Sequence, residues 1–200
     1  MTLIVSVSTS RWGILAGDGR QIQRATGSVS ANSARKVRRL TDRLVVSTCG
    51  SVIHGNALKE ALSETVGEMN PLPEASFAEF LAYLQELAIF AWGLDQHPDG
   101  ERLGITVLGY DAIVKKIRAL STDQTSGFNW EEDLRSLQIH WQGPQEDVGS
   151  IVQRWFERFE KKLIRGPTAV KMLLPLLYRS VATIDHSVNT TITAEAIFAP

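Results

Sequence analysis

A threonine stands directly behind Met1 at the head of an alternating run, Met1-Thr2-Leu3-Ile4-Val5-Ser6-Val7. Removal of Met1 would make Thr2 the first residue. It would then carry a hydroxyl nucleophile and a free amine base within one residue, a self-contained form of the nucleophile-plus-base pair of covalent catalysis. The α-amino group suits that task because its unperturbed pKa is about 7.7 to 8.0, which leaves part of it neutral near physiological pH. With Met1 retained, the corresponding nitrogen is a peptide nitrogen without basicity, and Thr2 is an ordinary strand residue. The sequence leaves that processing step open. Other reactive side chains are poorly organised: His54, His97, His140 and His186 are scattered without paired ligand spacing, so no metal site is expected. Cys49, the single cysteine, closes an apolar run and reads as a small core residue flanking a pocket, not as a nucleophile.

Further runs follow Thr2 in order: Gly13-Ile14-Leu15-Ala16-Gly17-Asp18-Gly19-Arg20, then Ser33-Ala34-Arg35-Lys36-Val37-Arg38-Arg39-Leu40, then Val45-Val46-Ser47-Thr48-Cys49-Gly50. This order resembles the proteasome β-type family of N-terminal-nucleophile hydrolases, with the closest likeness to its bacterial branch of HslV-like peptidases. The shared pattern is an N-terminal threonine strand, Ala-Gly-Asp-Gly and Lys-Val-Arg-Arg-Leu. It covers about the first quarter to third of the chain, and beyond residue 60 the likeness is one of element order. The resemblance implies a threonine peptidase in which Thr2 attacks a peptide carbonyl. Lys36 matches the lysine beside the nucleophile, whose charge favours the oxyanion form and depresses the neighbouring amine. Asp18 matches the aspartate that pairs with that lysine, and Gly50 the glycine whose N–H forms the oxyanion hole. Asp185, with Ser187 close behind, resembles the late aspartate near the nucleophile, although the spacing differs from the usual Asp-x-x-Ser.

Each residue also has a plainer reading. Asp18 in Gly-Asp-Gly suits a tight turn, Lys36 lies in a basic run of the kind that forms a solvated face, and Gly50 could simply open a helix. It is the joint order of Thr2, Asp18, Lys36 and Gly50 that is specific. One family feature is missing. The usual Gly-Ser-Gly loop has two competing registers: Gly143-Pro144 on the family's Gly-Pro leaves Trp141 where serine is expected, whereas Gly149-Ser150 matches in pattern but falls inside an amphipathic helix. The first register suits the helix stripe better and leaves the serine absent.

These residues need a scaffold, and periodicity supplies one. Strands are expected at Leu3 to Val7, Gly13 to Ala16 and Leu44 to Ser47. A helix carrying Ile53, Ala57, Leu58, Ala61, Leu62 and Val66 should end before Pro71 and Pro73. A second begins at the capping box Ser76-Phe77-Ala78-Glu79 and shows Phe77, Phe80, Leu81, Leu84, Leu87, Ala88 and Ala91 on one face. After Pro98-Asp99-Gly100, a hairpin is expected over Leu103 to Tyr110 and Ile113 to Leu120, then a loop over residues 121 to 134 and a strand at Leu137 to Trp141. Pro144 should open a helix with Val148, Ile151, Val152, Trp155, Phe159 and Leu163 on one face. Gly166-Pro167 breaks it, a helix over about Ala169 to Ile184 contains Pro175, and Val188 to Phe198 closes as a strand. Two helix pairs, each needing a sheet to cover, predict an α+β fold of two stacked sheets between helical layers. That is the four-layer αββα sandwich of the resembled family, expected here as a single domain over residues 1–200.

Composition fits and excludes more than it identifies. The 44% hydrophobic content of 200 residues allows a sizeable core, and the formal net charge of −1 argues against a nucleic-acid partner. One cysteine excludes an internal disulfide framework and fits a reducing compartment. No signal-like segment and no apolar run of about 20 residues appears, so a cytoplasmic protein without a membrane span is expected. The resemblance further implies a homo-oligomeric double ring, a polypeptide substrate, no cofactor and an ATP-dependent unfoldase as partner. Two alternatives share the fold: a ring scaffold with little hydrolytic activity, or an acyl-transferase that ligates peptides with the same nucleophile.

Overall fold

The computed structural model describes residues 3–22, 26–68, 77–94, 101–132, 138–142, 146–162 and 166–200. In chain order its elements are β1 (Ile4–Ser8), β2 (Trp12–Asp18), β3 (Gln21–Ile22), β4 (Val29–Ala31), β5 (Val37–Thr41) and β6 (Leu44–Gly50), then α1 (Val52–Glu68) and α2 (Phe77–Gly93). There follow β7 (Leu103–Asp111), β8 (Lys116–Asp123), a 3-10 turn at Gln124–Ser126, β9 (Glu131–Glu132), β10 (Gln138–Gln142), α3 (Glu146–Lys162), α4 (Pro167–Ala182) and β11 (Ile192–Phe198). One sheet has the order β10-β1-β2-β11 and the other β5-β6-β7-β8-β9, with β3 and β4 forming a small ribbon. Every strand pair is antiparallel.

Strand alternation sorts the core into three apolar layers. Leu3, Val5 and Val7 of the first run face Val148, Val152, Val170, Leu174 and Leu177 from α3 and α4. Ile4, one residue out of phase, points the other way and meets Leu15, Val37, Val45, Leu108 and Ile197 between the sheets. On the far side, Leu44, Val46, Leu103 and Ile105 pack against Leu58 and Leu62 of α1 and Phe80, Leu81 and Leu84 of α2. Helices, sheet, sheet, helices is the αββα sandwich expected from periodicity. Each fully buried aliphatic side chain in these layers contributes roughly 1.5–3 kcal/mol relative to exposure.

The differences from expectation have local causes. Ile53 begins the predicted α1 stripe yet is 77% exposed; the buried face runs instead through His54, Gly55, Leu58, Lys59 and Leu62. Ile113 and Val114 mimic a strand but form the turn before β8, where Asp111 Oδ1 accepts their N–H groups at 3.0 and 3.2 Å. The polar stretch after residue 120 looks like a loop, yet Ser121 pairs with Glu131 and the strand continues to Asp123. Asp123 then caps the 3-10 turn by accepting the N–H groups of Thr125 and Ser126. β11 starts only at Ile192, because Asp185 and the N–H groups of Ser187 and Val188 form a turn ahead of it. Pro71, Pro73, Ser76, Pro98-Asp99-Gly100 and the Gly143-Pro144 dipeptide lie outside the described residues.

Candidate active site

Asp18 ends β2 with its side chain wholly buried, and its two oxygens are fully engaged. Oδ1 accepts the N–H of Leu3 at 2.9 Å and the Lys36 ammonium at 3.2 Å, while Oδ2 accepts the N–H of Arg20 at 2.9 Å. The turn-residue reading of Asp18 is therefore true and incomplete. The carboxylate also ties the residue that follows Thr2 to a buried cation. Lys36 immediately precedes β5 and donates a second hydrogen bond to the carbonyl of Arg20. At 6% exposure it is unlike its neighbours Arg38 and Arg39, which are exposed and line an open cleft of about 710 Å³ with Arg35 and Lys59. Burial pushes the Lys36 ammonium below its ordinary value, and the charge and hydrogen bond of Asp18 oppose that shift without cancelling it. Thr2 lies outside the described residues; what the structure describes is the seat of the residue joined to it.

Gly50 closes β6 with φ +88°, a conformation that favours glycine. Space enforces the same choice, since a Cβ there would stand 1.9 Å from the carbonyl oxygen of Arg102. The next residue fastens the elbow into α1: Ser51 N–H donates to Arg102 O at 2.6 Å, and Ser51 Oγ lies 2.7 Å from His54 Nδ1. His54 packs edge-on against Trp92 with ring centroids 5.4 Å apart. Thr48 N–H donates to Lys36 O at 3.4 Å, so the strand that ends at Gly50 runs alongside the start of β5. Gly50 is both a helix-entry glycine and a neighbour of the Lys36 segment. Burial pushes the Cys49 thiol up to about 12 against the Gly104 N–H and Lys36, so it is a neutral thiol packed against the inter-sheet core.

The late segment reaches the same end of the sandwich through backbone carbonyls and the Asn189 side chain. Gly19 N–H donates to Thr191 O at 2.7 Å and to Asn189 Oδ1 at 3.1 Å, and the Arg20 guanidinium donates to His186 O. Asn189 also donates to Asn32 O at 2.9 Å, which fastens the loop before Lys36. Asp185 itself accepts the Ser187 N–H at 2.7 Å, and the buried Ser187 hydroxyl has no partner among the described residues. The segment thus adjoins the Asp18–Lys36 pair, with the Asp185 carboxylate engaged in its own turn. Gly149-Ser150 lies inside α3. Among the described residues no cluster of three or more His, Cys, Asp or Glu side chains could hold a metal ion, and no helix is long and apolar enough to cross a membrane.

Two participants escaped sequence reading. Tyr178 of α4 donates its hydroxyl to Leu3 O at 3.2 Å, a contact between residues 175 apart. Asn189 holds Gly19 across 170 residues. Tyr178 falls in the apolar stripe of its helix, and no local signal distinguishes its hydroxyl from core filling.

No protein-family model matches the sequence, nor does any curated protein. Similarity appears in the coordinates. The eukaryotic HslV from Trypanosoma brucei superposes with a TM-score of 0.67 at 19% identity, over 98% of this chain and 99% of that one. Anbu, an ancestral beta-subunit, from Yersinia bercovieri superposes with a TM-score of 0.76 at 16% identity, over 98% of this chain and 81% of that one. At such identities the likeness speaks for the fold. With the layer order and strand topology above, it gives this chain the proteasome/HslV-type fold.

Proposed function

We propose that the chain is an N-terminal threonine peptidase that works, as one proteasome-type unit over residues 1–200, in a homo-oligomeric double ring. The observation that carries this reading is the shared Asp18 oxygen, which joins the Leu3 N–H to the buried Lys36 ammonium. A peptide unit is planar, so holding the Leu3 N–H orients the unit through which Thr2 is attached. After loss of Met1, the Thr2 hydroxyl gives its proton to its own amine and bonds to a carbonyl carbon of a polypeptide. The Gly50 N–H takes the developing oxyanion, and Lys36 supplies positive potential. The C–N bond then breaks as the leaving amine accepts the proton, and water hydrolyses the resulting ester. An ATP-dependent unfoldase would feed such a chamber.

The test is Thr2→Ala in protein whose intact mass shows Met1 removed. Hydrolysis of small peptides should vanish, together with covalent capture by an epoxyketone, which needs both hydroxyl and amine. Unchanged hydrolysis in the variant defeats the threonine mechanism. A second reading, a ring scaffold with little hydrolysis, is supported by the position of Ser150 inside α3. Native protein that keeps Met1 and cleaves nothing would select it. Formation of new amide products with added amines would instead select the peptide-ligase alternative.

A further inference from the structure

Leu3 is the residue at which the nucleophile strand could most easily fray, since it lies just ahead of β1 and chain ends open unless tied down. Its peptide groups are nevertheless held three times. Its N–H donates to Asp18 Oδ1 at 2.9 Å, and its carbonyl oxygen accepts from Asp18 N–H at 3.3 Å and from the Tyr178 hydroxyl at 3.2 Å. Tyr178 has no exposed surface and sits among Val5, Leu174, Leu177 and Val181, where phenylalanine would fill the same apolar space without a hydroxyl to desolvate. Burial, aided by the Asp18 charge, pushes its phenol well above the ordinary value, so it remains a donor over the whole working pH range. The hydroxyl therefore has one evident task, and that task lies one residue from Thr2.

We propose that Tyr178 is a positioning residue: by holding the Leu3 carbonyl from the helix layer, it keeps the start of the nucleophile strand closed in catalytic geometry. The inference rests on Thr2 being the nucleophile. A reacting group must be held within about 0.5 Å of its productive position, and a displacement of 1 Å costs on the order of 10²-fold in rate. A strand end that opens part of the time loses turnover in proportion, while substrate contacts elsewhere persist. The signature is a fall in kcat without a rise in KM.

The experiment compares Tyr178→Phe with Leu84→Val, a core change in the opposite helical layer, which packs on the other sheet and not on Leu3. Both are assayed on a fluorogenic peptide, and amide hydrogen exchange is followed over the whole chain by mass spectrometry. Tyr178→Phe should lower kcat roughly tenfold with KM within about twofold, and should speed exchange in the peptide covering residues 3–7 selectively. Leu84→Val should lower thermal stability while kcat per folded molecule stays close to wild type. Unchanged kcat in Tyr178→Phe, unchanged exchange at residues 3–7, or equal kcat losses in both variants would overturn the proposal. Hydrolysis that survives Thr2→Ala defeats the threonine reading instead, and the exchange data then still report whether the hydroxyl closes the strand.

Discussion

Two of the ion clusters among the described residues are built on opposite terms. At one, Arg118 of β8 reaches Asp111 of β7 at 2.7 Å and Glu132 of β9 at 2.5 Å, with side-chain exposures of 22%, 7% and 13%. Its guanidinium also stands over the Phe77 ring at 5.8 Å. Hydrogen bonding to Glu132 raises the arginine further against the opposing effect of burial, and no accessible pH removes its charge. At the other, Lys36 and Asp18 are 7% and 0% exposed, and burial drives the cation toward its neutral form. The arginine cluster is a fixed rivet with a carboxylate on each side. The lysine cluster gives its cation one carboxylate, shares that carboxylate with the strand that begins beside Thr2, and keeps the cation costly to charge. A group arranged that way is the one suited to chemistry.

The widest separation between the clusters should appear in rate. Lys36→Ala should lower peptide hydrolysis on the order of 10²-fold or more, as expected for removing an electrostatic stabiliser. Lys36→Arg should recover little, since a planar fork does not replace a compact ammonium at 3.2 Å from Asp18. Steady-state assays on protein of verified oligomeric state decide it, and a loss below threefold in Lys36→Ala would remove the lysine cluster from the mechanism.

Arg118→Ala should do the reverse. It removes the guanidinium from which two carboxylates accept, so folding stability should fall by about 2 kcal/mol while hydrolysis per folded molecule stays within about twofold. Chemical denaturation beside the same peptide assay checks both halves. A large rate loss there, with stability intact, would erase the contrast.

Layer order was legible in the sequence because alternation and helical stripes record which faces must be covered. Leu3, Val5 and Val7 against Ile4 already separate the helix side from the inter-sheet side. Asp18, Lys36 and Gly50 stood out as candidates by their order relative to the N-terminus, and the structure brings their segments to one end of the sandwich. What stayed hidden depends on distant partners. Gly50 needs glycine because Arg102 comes back against it, and the Tyr178 hydroxyl has its purpose in Leu3. Apolar Ile113 and Val114 imitated a strand while serving a turn that Asp111 holds, and polar Ser121 and Thr122 imitated a loop while lying buried in a strand. Hydrophobicity reports burial pressure and is silent about where a hydrogen bond ends.

Titration sharpens the comparison from the stability side. In the folded chain, burial acts to raise Asp111, but hydrogen bonds from Arg118 and from the Val114 and Ile113 N–H groups outweigh it and hold it below its ordinary 3.8. The unfolded chain therefore binds that proton more tightly, and the stabilisation is present above pH 3.8 and lost as pH falls through the folded value. Lys36 runs the other way at the alkaline end. Its folded value is lowered, so its contribution to stability improves as pH rises through that value toward 10.5. Denaturant titrations from pH 3 to 10 should show both limbs, with Arg118→Ala weakening the acid limb and leaving the alkaline one. Loss of the alkaline limb in Arg118→Ala would mean that the two clusters are coupled.

The smallest effect is the most discriminating for Lys36 itself. Arg38 lies two residues on in the same basic run, but its side chain is exposed and its guanidinium donates to Lys59 O at 3.3 Å. Exposed charge contacts contribute at most about 1 kcal/mol, and salt screens them over about 8–10 Å. Arg38→Ala should therefore leave hydrolysis within about twofold of wild type and shift stability by a few tenths of a kcal/mol. If the run acted through its summed field, Arg38→Ala and Lys36→Ala would lower the rate by similar factors, and both losses would shrink as salt is raised. Peptide assays of both variants at low and high ionic strength separate the cases: a buried ammonium held by Asp18 keeps its effect at high salt, whereas a surface field does not.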